Sequence, residues 1–171
     1  MKPLHAVAAS TVAVAVAGSA LAATRDGGEP TTGRGGAAAA TAVTVQVAFN
    51  RALKRSILVT SRGLTLYAFT DDADGTPHCY DDSAYHCSKA WPPLKADSAP
   101  HAGQGVKQSL LRVVKNPDGG YQVAYARHPL YADAGAKGFG LVGDRKPGDT
   151  HGQGFFGSWY VVAPTGALIK R

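Results

Sequence analysis

Two stretches of this chain, 64 residues apart, carry the same local pattern: Val59, six residues, then Leu66-Tyr67-Ala68, and Val123, six residues, then Leu130-Tyr131-Ala132. Each is followed by a tryptophan, Trp91 at 24 residues from Tyr67 (91 − 67) and Trp159 at 28 from Tyr131 (159 − 131). Such a recurrence reads as one supersecondary unit used twice, with the two copies burying a core that neither closes alone. The repeat predicts a pseudo-symmetric domain whose halves span about residues 57–94 and 122–162. It supplies no nucleophile, base or cofactor cradle.

The composition says what the unit is made of. Glu29 is the only glutamate, while Gly, Val, Thr, Tyr and Asp are plentiful. That argues against long helices and for strands joined by turns. Val43, Val45, Val47 and Phe49 alternate with smaller or polar residues, which predicts a strand with one apolar face. Three hairpins are expected around Ser61-Arg62-Gly63, Asn116-Pro117-Asp118-Gly119-Gly120 and Pro164-Thr165-Gly166, where Gly, Asn and Asp suit turn geometry. The expected fold is an all-β, mainly antiparallel domain of about seven strands, a sandwich or partly open barrel. Two long segments, 71–89 and 133–156, interrupt it. Loops of that length in a compact domain are functional or disordered, so any specific activity is expected there.

The start of the chain predicts a compartment. Lys2 precedes an apolar run over 6–16 that closes on Ala20-Leu21-Ala22, the parts of a secretory signal peptide expected to occupy 1–22. The run is alanine-rich and shorter than the roughly 20 strongly apolar residues that span a bilayer. Residues 23–41 hold no large apolar side chain and read as a flexible tether, leaving 42–171 as one β-rich domain. Without Lys2 the chain keeps 17 basic residues against 12 acidic ones. Its cations are scattered without interleaved aromatics, which argues against nucleic acid and leaves anionic polymers of the cell envelope as the more natural partner. A monomer that does not span a membrane is expected.

The order of landmarks resembles that of a bacterial family of predicted secreted lipoproteins, described by a repeat of unknown function and a Tyr-x-(Phe/Trp/Tyr)-x-x-Asp motif. Tyr67, Phe69 and Asp72 meet the motif. Around it stand Gly63-x-Thr65-Leu66-Tyr67, Cys79 and Cys87 ahead of Trp91-Pro92-Pro93-Leu94, and Asp118-Gly119-x-x-Gln122-Val123-x-Tyr125. His128-Pro129-Leu130-Tyr131, residues 146–154 and Trp159-Tyr160-Val161-Val162 follow. The resemblance implies an exported domain and brings no activity. The chain departs from the family in three ways. No cysteine at the signal exit is available for lipidation, so a form without a lipid anchor is expected. Seven residues separate the two cysteines, which usually lie closer together in the family. In the second copy Asp133 stands where the aromatic is expected, and an insertion over 133–142 separates Tyr131 from Gly143-Asp144.

Several residues are candidates for chemistry. Cys79 and Cys87 in an exported domain read as a disulfide closing a short loop. The alternative is a copper, zinc or haem-iron site in which His78 and His86 join or flank the sulfurs, although no Cys-x-x-Cys-His is present for covalent haem attachment. Thr70-Asp71-Asp72-Ala73-Asp74-Gly75 resembles a calcium loop with the wrong first residue, while Asp beside Gly commonly forms turns. Tyr67, Phe69, Trp91, Tyr131, Trp159 and Tyr160 read as core, with a stacking platform as the alternative. Asp72 is expected to accept backbone N–H bonds and order the first long loop. His128 and His151 read as solvated loop histidines. No catalytic constellation stands out, so the sequence predicts a non-enzymatic binding or structural module without a cofactor. A metal or redox accessory protein using His78-Cys79 and His86-Cys87 is the alternative.

Overall fold

Val, Ile, Leu and Tyr are concentrated in the pairing segments of the chain, alternating with polar residues in β1 and running on unbroken through Ile57-Leu58-Val59 of β2. The computed structural model describes residues 42–81 and 87–170, all within the contact unit Ala38–Arg171. Its strands are β1 (Thr44–Asn50), β2 (Arg55–Thr60), β3 (Tyr67–Phe69), β4 (His101–Ala102), β5 (Leu111–Lys115), β6 (Tyr121–Tyr125), β7 (His128–Pro129) and β8 (Trp159–Val161). They form three small sheets with orders β2-β1-β4, β3-β8 and β5-β6-β7, and every pairing is antiparallel except β1 with β4. Among the described residues the helical segments are 3-10 turns of three residues, and no helix is long and apolar enough to cross a membrane. The fold of the described residues is all-β, with no closed barrel.

Turn chemistry sets the registers. Asn116 accepts the Asp118 N–H through Oδ1 at 2.9 Å, and Gly119 and Gly120 follow at φ 98° and 73°, closing β5 on β6. The β1–β2 turn carries no glycine or proline. Asn50 starts it by accepting the Leu53 N–H at 2.9 Å, and Lys54 takes φ 51°. No turn signal in the sequence announces this hairpin, which runs from Val45 opposite Thr60 to Asn50 opposite Arg55.

Nor is β1 buried on the face its alternation predicts. Val45 is fully buried, but Phe49 is 66% exposed and buried Asn50 takes the inward place, donating to Gly148 O at 3.0 Å.

The interior has two sides, sorted by the period of two along each strand. Ile57, Val59, Tyr67, Phe69, Tyr131 and Val161 pack with Trp91 and Trp159 on one side. Leu58, Leu66, Ala68, Leu130 and Val162 pack with Val123 and Tyr125 on the other. β3 is therefore covered on both faces, and each of its large side chains contributes about 1.5–3 kcal/mol by leaving water.

The two repeat segments make matching backbone bonds. Leu58 N donates to Val162 O at 2.9 Å, and Val123 N to Leu94 O at 2.8 Å. Leu66 N donates to Leu58 O at 3.0 Å, and Leu130 N to Val123 O at 2.9 Å. Val162 N meets Leu66 O at 3.4 Å, and Leu94 N meets Leu130 O at 2.8 Å. These bonds make Leu58, rather than Val59, the counterpart of Val123. The shift arises in the turns: the first copy turns through Ser61-Arg62-Gly63 with Gly63 at φ 79°, whereas the second uses the tighter Ala126-Arg127 pair at φ 48° and 75°.

Candidate functional site

Tyr67 in β3 and Tyr131 just after β7 face each other across an antiparallel bridge, each N–H donating to the other's carbonyl at 2.9 Å. Each hydroxyl then reaches into the other half of the chain. Tyr131 donates to Asp72 Oδ2 at 2.7 Å, and Tyr67 donates to Asp144 Oδ2 at 2.7 Å. The remaining carboxylate oxygens hold the loops: Asp72 Oδ1 accepts His78 N–H at 2.8 Å, and Asp144 Oδ1 accepts His151 N–H at 2.9 Å. The histidine rings fold back on the same oxygens, Nδ1 to Oδ1 being 3.4 Å for His78 and 3.2 Å for His151. Two Tyr–Asp–His units thus interlock with crossed tyrosines.

Burial dominates their electrostatics. It raises both tyrosine hydroxyls well above their ordinary range, each reinforced by its aspartate, so the hydroxyls stay protonated donors. Burial also lifts Asp72 from 3.8 to about 6, against the pull of the Tyr131 hydroxyl and the His78 N–H. Asp133 is raised to about 6 by burial, with a smaller push from Asp144.

Over this base the aromatic rings form a stack. Trp91 and Trp159 lie face to face with centroids 3.9 Å apart and planes 3° from parallel, and Phe69 continues the stack on Trp159 at 4.5 Å. Tyr67 meets Trp91 edge-on at 5.4 Å, and Tyr131 meets Trp159 edge-on at 5.2 Å. Gly152 makes room for this arrangement, since a Cβ there would lie 2.5 Å from Trp91 Cη2.

The stack floors a cleft of about 650 Å³ where the two long segments meet. Asp71, Cys87 and Lys89 line it from the first, and Ala136, Leu141 and Phe155 from the second. Phe139 and Phe156 stand at its edge, 69% and 73% exposed, with ring centroids 6.3 Å apart. Phe156 sits at φ 47°, ψ 22°, left-handed backbone that a bulky side chain adopts at a cost of about 1–3 kcal/mol. Exposing that ring costs further. Lys89, an exposed cation, supplies the positive charge of the lining.

Of the sequence candidates, Tyr67, Phe69, Asp72, Trp91, Tyr131 and Trp159 are all buried together, with the tryptophans and Phe69 serving as both core and cleft floor. Tyr160 points elsewhere and donates to Gly157 O at 2.9 Å. Cys79 and Cys87 are joined in a disulfide with Cα atoms 5.4 Å apart, so their sulfurs are not free thiolate ligands. His86 lies outside the described residues. Among the described residues no group of three or more His, Cys, Asp or Glu is placed to hold a metal. In the calcium-like segment Asp72 turns inward, and Asp74 Oδ1 accepts the Thr76 N–H at 2.8 Å as a turn former.

Two histidines differ from expectation. His151 is held by Asp144 rather than free in solvent, because the loop folds its own backbone onto that carboxylate. His128 belongs to β7 and its Nδ1 is buried, and burial first and Arg127 second lower its pKa.

Residues the sequence does not single out as site residues are Asp144, Phe139, Phe155 and Phe156. Asp144 carries a weak signal, since it follows the 133–142 insertion where the second copy needs an aspartate to match Asp72. The loop phenylalanines carry none, because rings in irregular segments follow no period.

Compared with protein-family models, curated proteins and solved structures, the chain matches none.

Proposed function

We propose that the protein is an exported, non-enzymatic β domain that binds a small, flat, largely apolar molecule in the cleft between its two long loops. The observation that carries this reading is Phe156, a ring held on strained backbone and left 73% exposed beside Phe139 at the mouth of a cavity floored by tryptophan. Folding alone gives no reason to hold a large apolar ring there, whereas a ligand sandwiched against it would recover the exposed area. A cavity of about 650 Å³ lies in the size range of small-molecule sites, which are mainly apolar with a few polar groups that orient the ligand. Lys89 and Asp71 line the same cleft with opposite charges, so Lys89 suits an anionic or carbonyl group on the ligand's rim and Asp71 a hydrogen-bond donor.

The disulfide holds Cys87 at the cleft wall, and the interlocked Tyr–Asp–His units fix the start of one long loop and the end of the other. These are positioning roles. Export is supported by the Lys2-led apolar segment and by the resemblance to secreted lipoprotein-like domains.

The test is tryptophan fluorescence with 2-naphthoate as probe. Binding is expected to quench Trp91 and Trp159 saturably, and the Phe139→Ala/Phe156→Ala variant is expected to weaken it by tenfold or more at unchanged melting temperature. Equal quenching of variant and parent would remove the cleft from the account.

A further inference from the structure

On β1 and β2 lies a second concavity, of about 480 Å³, lined by Phe49, Arg51, Gly63, Lys146 and Pro147 among others. We propose that it is a docking groove for a linear phosphate polymer, gripped by cations that three separate turns bring to its rim. Arg51 of the β1–β2 turn and Lys146 of the 145–149 loop line it, and Lys54 and Arg62 lie on the turns that also carry the lining residues Ala52 and Gly63. Arg55 adds to them, because it alternates in step with Ile57 and Val59, which also line the groove. All five of these cations are exposed.

Among the described residues the ion pairs within 4.0 Å are the two histidine–aspartate pairs, and none involves a lysine or arginine. The one acid of the groove, Asp149, is occupied by its own loop, its Oδ2 accepting the N–H groups of Arg145 and Lys146 at 3.0 and 3.1 Å. It shapes the turn that presents Lys146. Asn50 fixes the same loop from the other side by donating to Gly148 O at 3.0 Å, and Gly63 lies against Pro147. The groove is therefore braced before any ligand arrives, and Asp149, whose charge lies beside Lys146, is the one carboxylate in its lining set against the five cations.

Charge complementarity selects a polyanion, and the shape selects its kind. Several exposed cations around a concavity suit a chain with charge at each repeat, bound through arginine forks and released counterions. Single-stranded nucleic acid needs stacking platforms for its bases, and this groove offers the single ring of Phe49. A flat bilayer surface does not enter a concavity. A phosphate polymer without bases meets all three conditions.

The experiment is fluorescence polarisation of the full chain with labelled long-chain inorganic polyphosphate, at about 50 and 200 mM salt. Binding is expected at the lower salt and markedly weaker binding at the higher. The Arg51→Gln/Lys146→Gln variant is expected to lose tenfold or more in affinity, with a salt slope shallower by about one to two. Its melting temperature and its quenching by 2-naphthoate should match the parent, since neither residue touches the aromatic cleft. Failure of the cleft reading would thus show in the naphthoate arm, and failure of this one in the polyphosphate arm. Unchanged polyphosphate affinity in the variant would overturn the proposal. So would tighter binding of a single-stranded oligonucleotide or of anionic phospholipid vesicles than of polyphosphate.

Discussion

Tyr67 and Tyr131 bond each other's backbone in both directions at 2.9 Å, and each hydroxyl closes on the aspartate that anchors a long loop of the opposite half. Each half satisfies one oxygen of its own buried carboxylate and leaves the other to the opposite tyrosine, so the halves depend on each other for polar pairing as well as for apolar cover.

Removing one hydroxyl should therefore cost as much as any buried polar deletion. Tyr67→Phe and Tyr131→Phe each leave a buried carboxylate oxygen short of a donor, and each is expected to lower stability by about 1–3 kcal/mol. In a domain of this size that is roughly 3–10 °C in melting temperature, measurable by circular dichroism. A change under about 1 °C in both variants would show that the crossed bonds carry no net stability.

The pH dependence follows from the raised carboxyls. Asp72 and Asp133 have folded pKa values of about 6 against an ordinary 3.8, so the folded chain holds more protons than the unfolded one between those values. Stability from these two groups is complete below the unfolded value and is lost as pH rises through about 6. Melting temperature should be higher near pH 5 than near pH 7, and Asp72→Asn should flatten the difference. A melting temperature that rises steadily from about pH 5 to about pH 7 would contradict this. Asp74 and Asp149, lowered chiefly by backbone N–H bonds, contribute in the opposite sense at more acid pH.

The Cys79–Cys87 bond closes a short loop. Mass measurement of the protein purified without reductant should find both thiols blocked, and reduction should cost about 2–3 kcal/mol through the freed unfolded chain. Two free thiols in protein purified without reductant would contradict the assignment.

Gly152 tests the packing under the cleft. A Cβ there would lie 2.5 Å from Trp91 Cη2 and 3.1 Å from Tyr67 Cε1. Gly152→Ala should therefore displace Trp91, shift tryptophan emission and destabilise by about 1–3 kcal/mol. An unchanged emission spectrum and melting temperature would mean that the ring stack is looser than described.

Much of this architecture is legible in the residues, and the failures have physical causes. The Leu66-Tyr67-Ala68 and Leu130-Tyr131-Ala132 segments are legible because both of their faces are buried, so the apolar residues run on without a polar alternate. The turn at 116–120 is legible from its Asn, Asp and Gly. The β1–β2 turn is not, because Arg51-Ala52-Leu53-Lys54 contains no turn former and relies on Asn50 and a left-handed Lys54. Alternation places Phe49 inside, yet it gives only a face and does not say what covers it. Asp72 is legible as a loop anchor from its motif. Asp144 is hidden by the 133–142 insertion, with Asp133 standing nearer the expected place. The cleft itself arises only when the two long loops meet, which no local pattern encodes.

The most direct measurement of the cleft reading is an amide NMR titration of the labelled protein with 2-naphthoate. Shifts should concentrate at Ala90, Trp91, Ala136, Phe139 and Phe155 to Ser158, with β5 and β6 unmoved. Shifts centred on β5 and β6, or no saturable shifts anywhere, would contradict a ligand-binding cleft between the two loops.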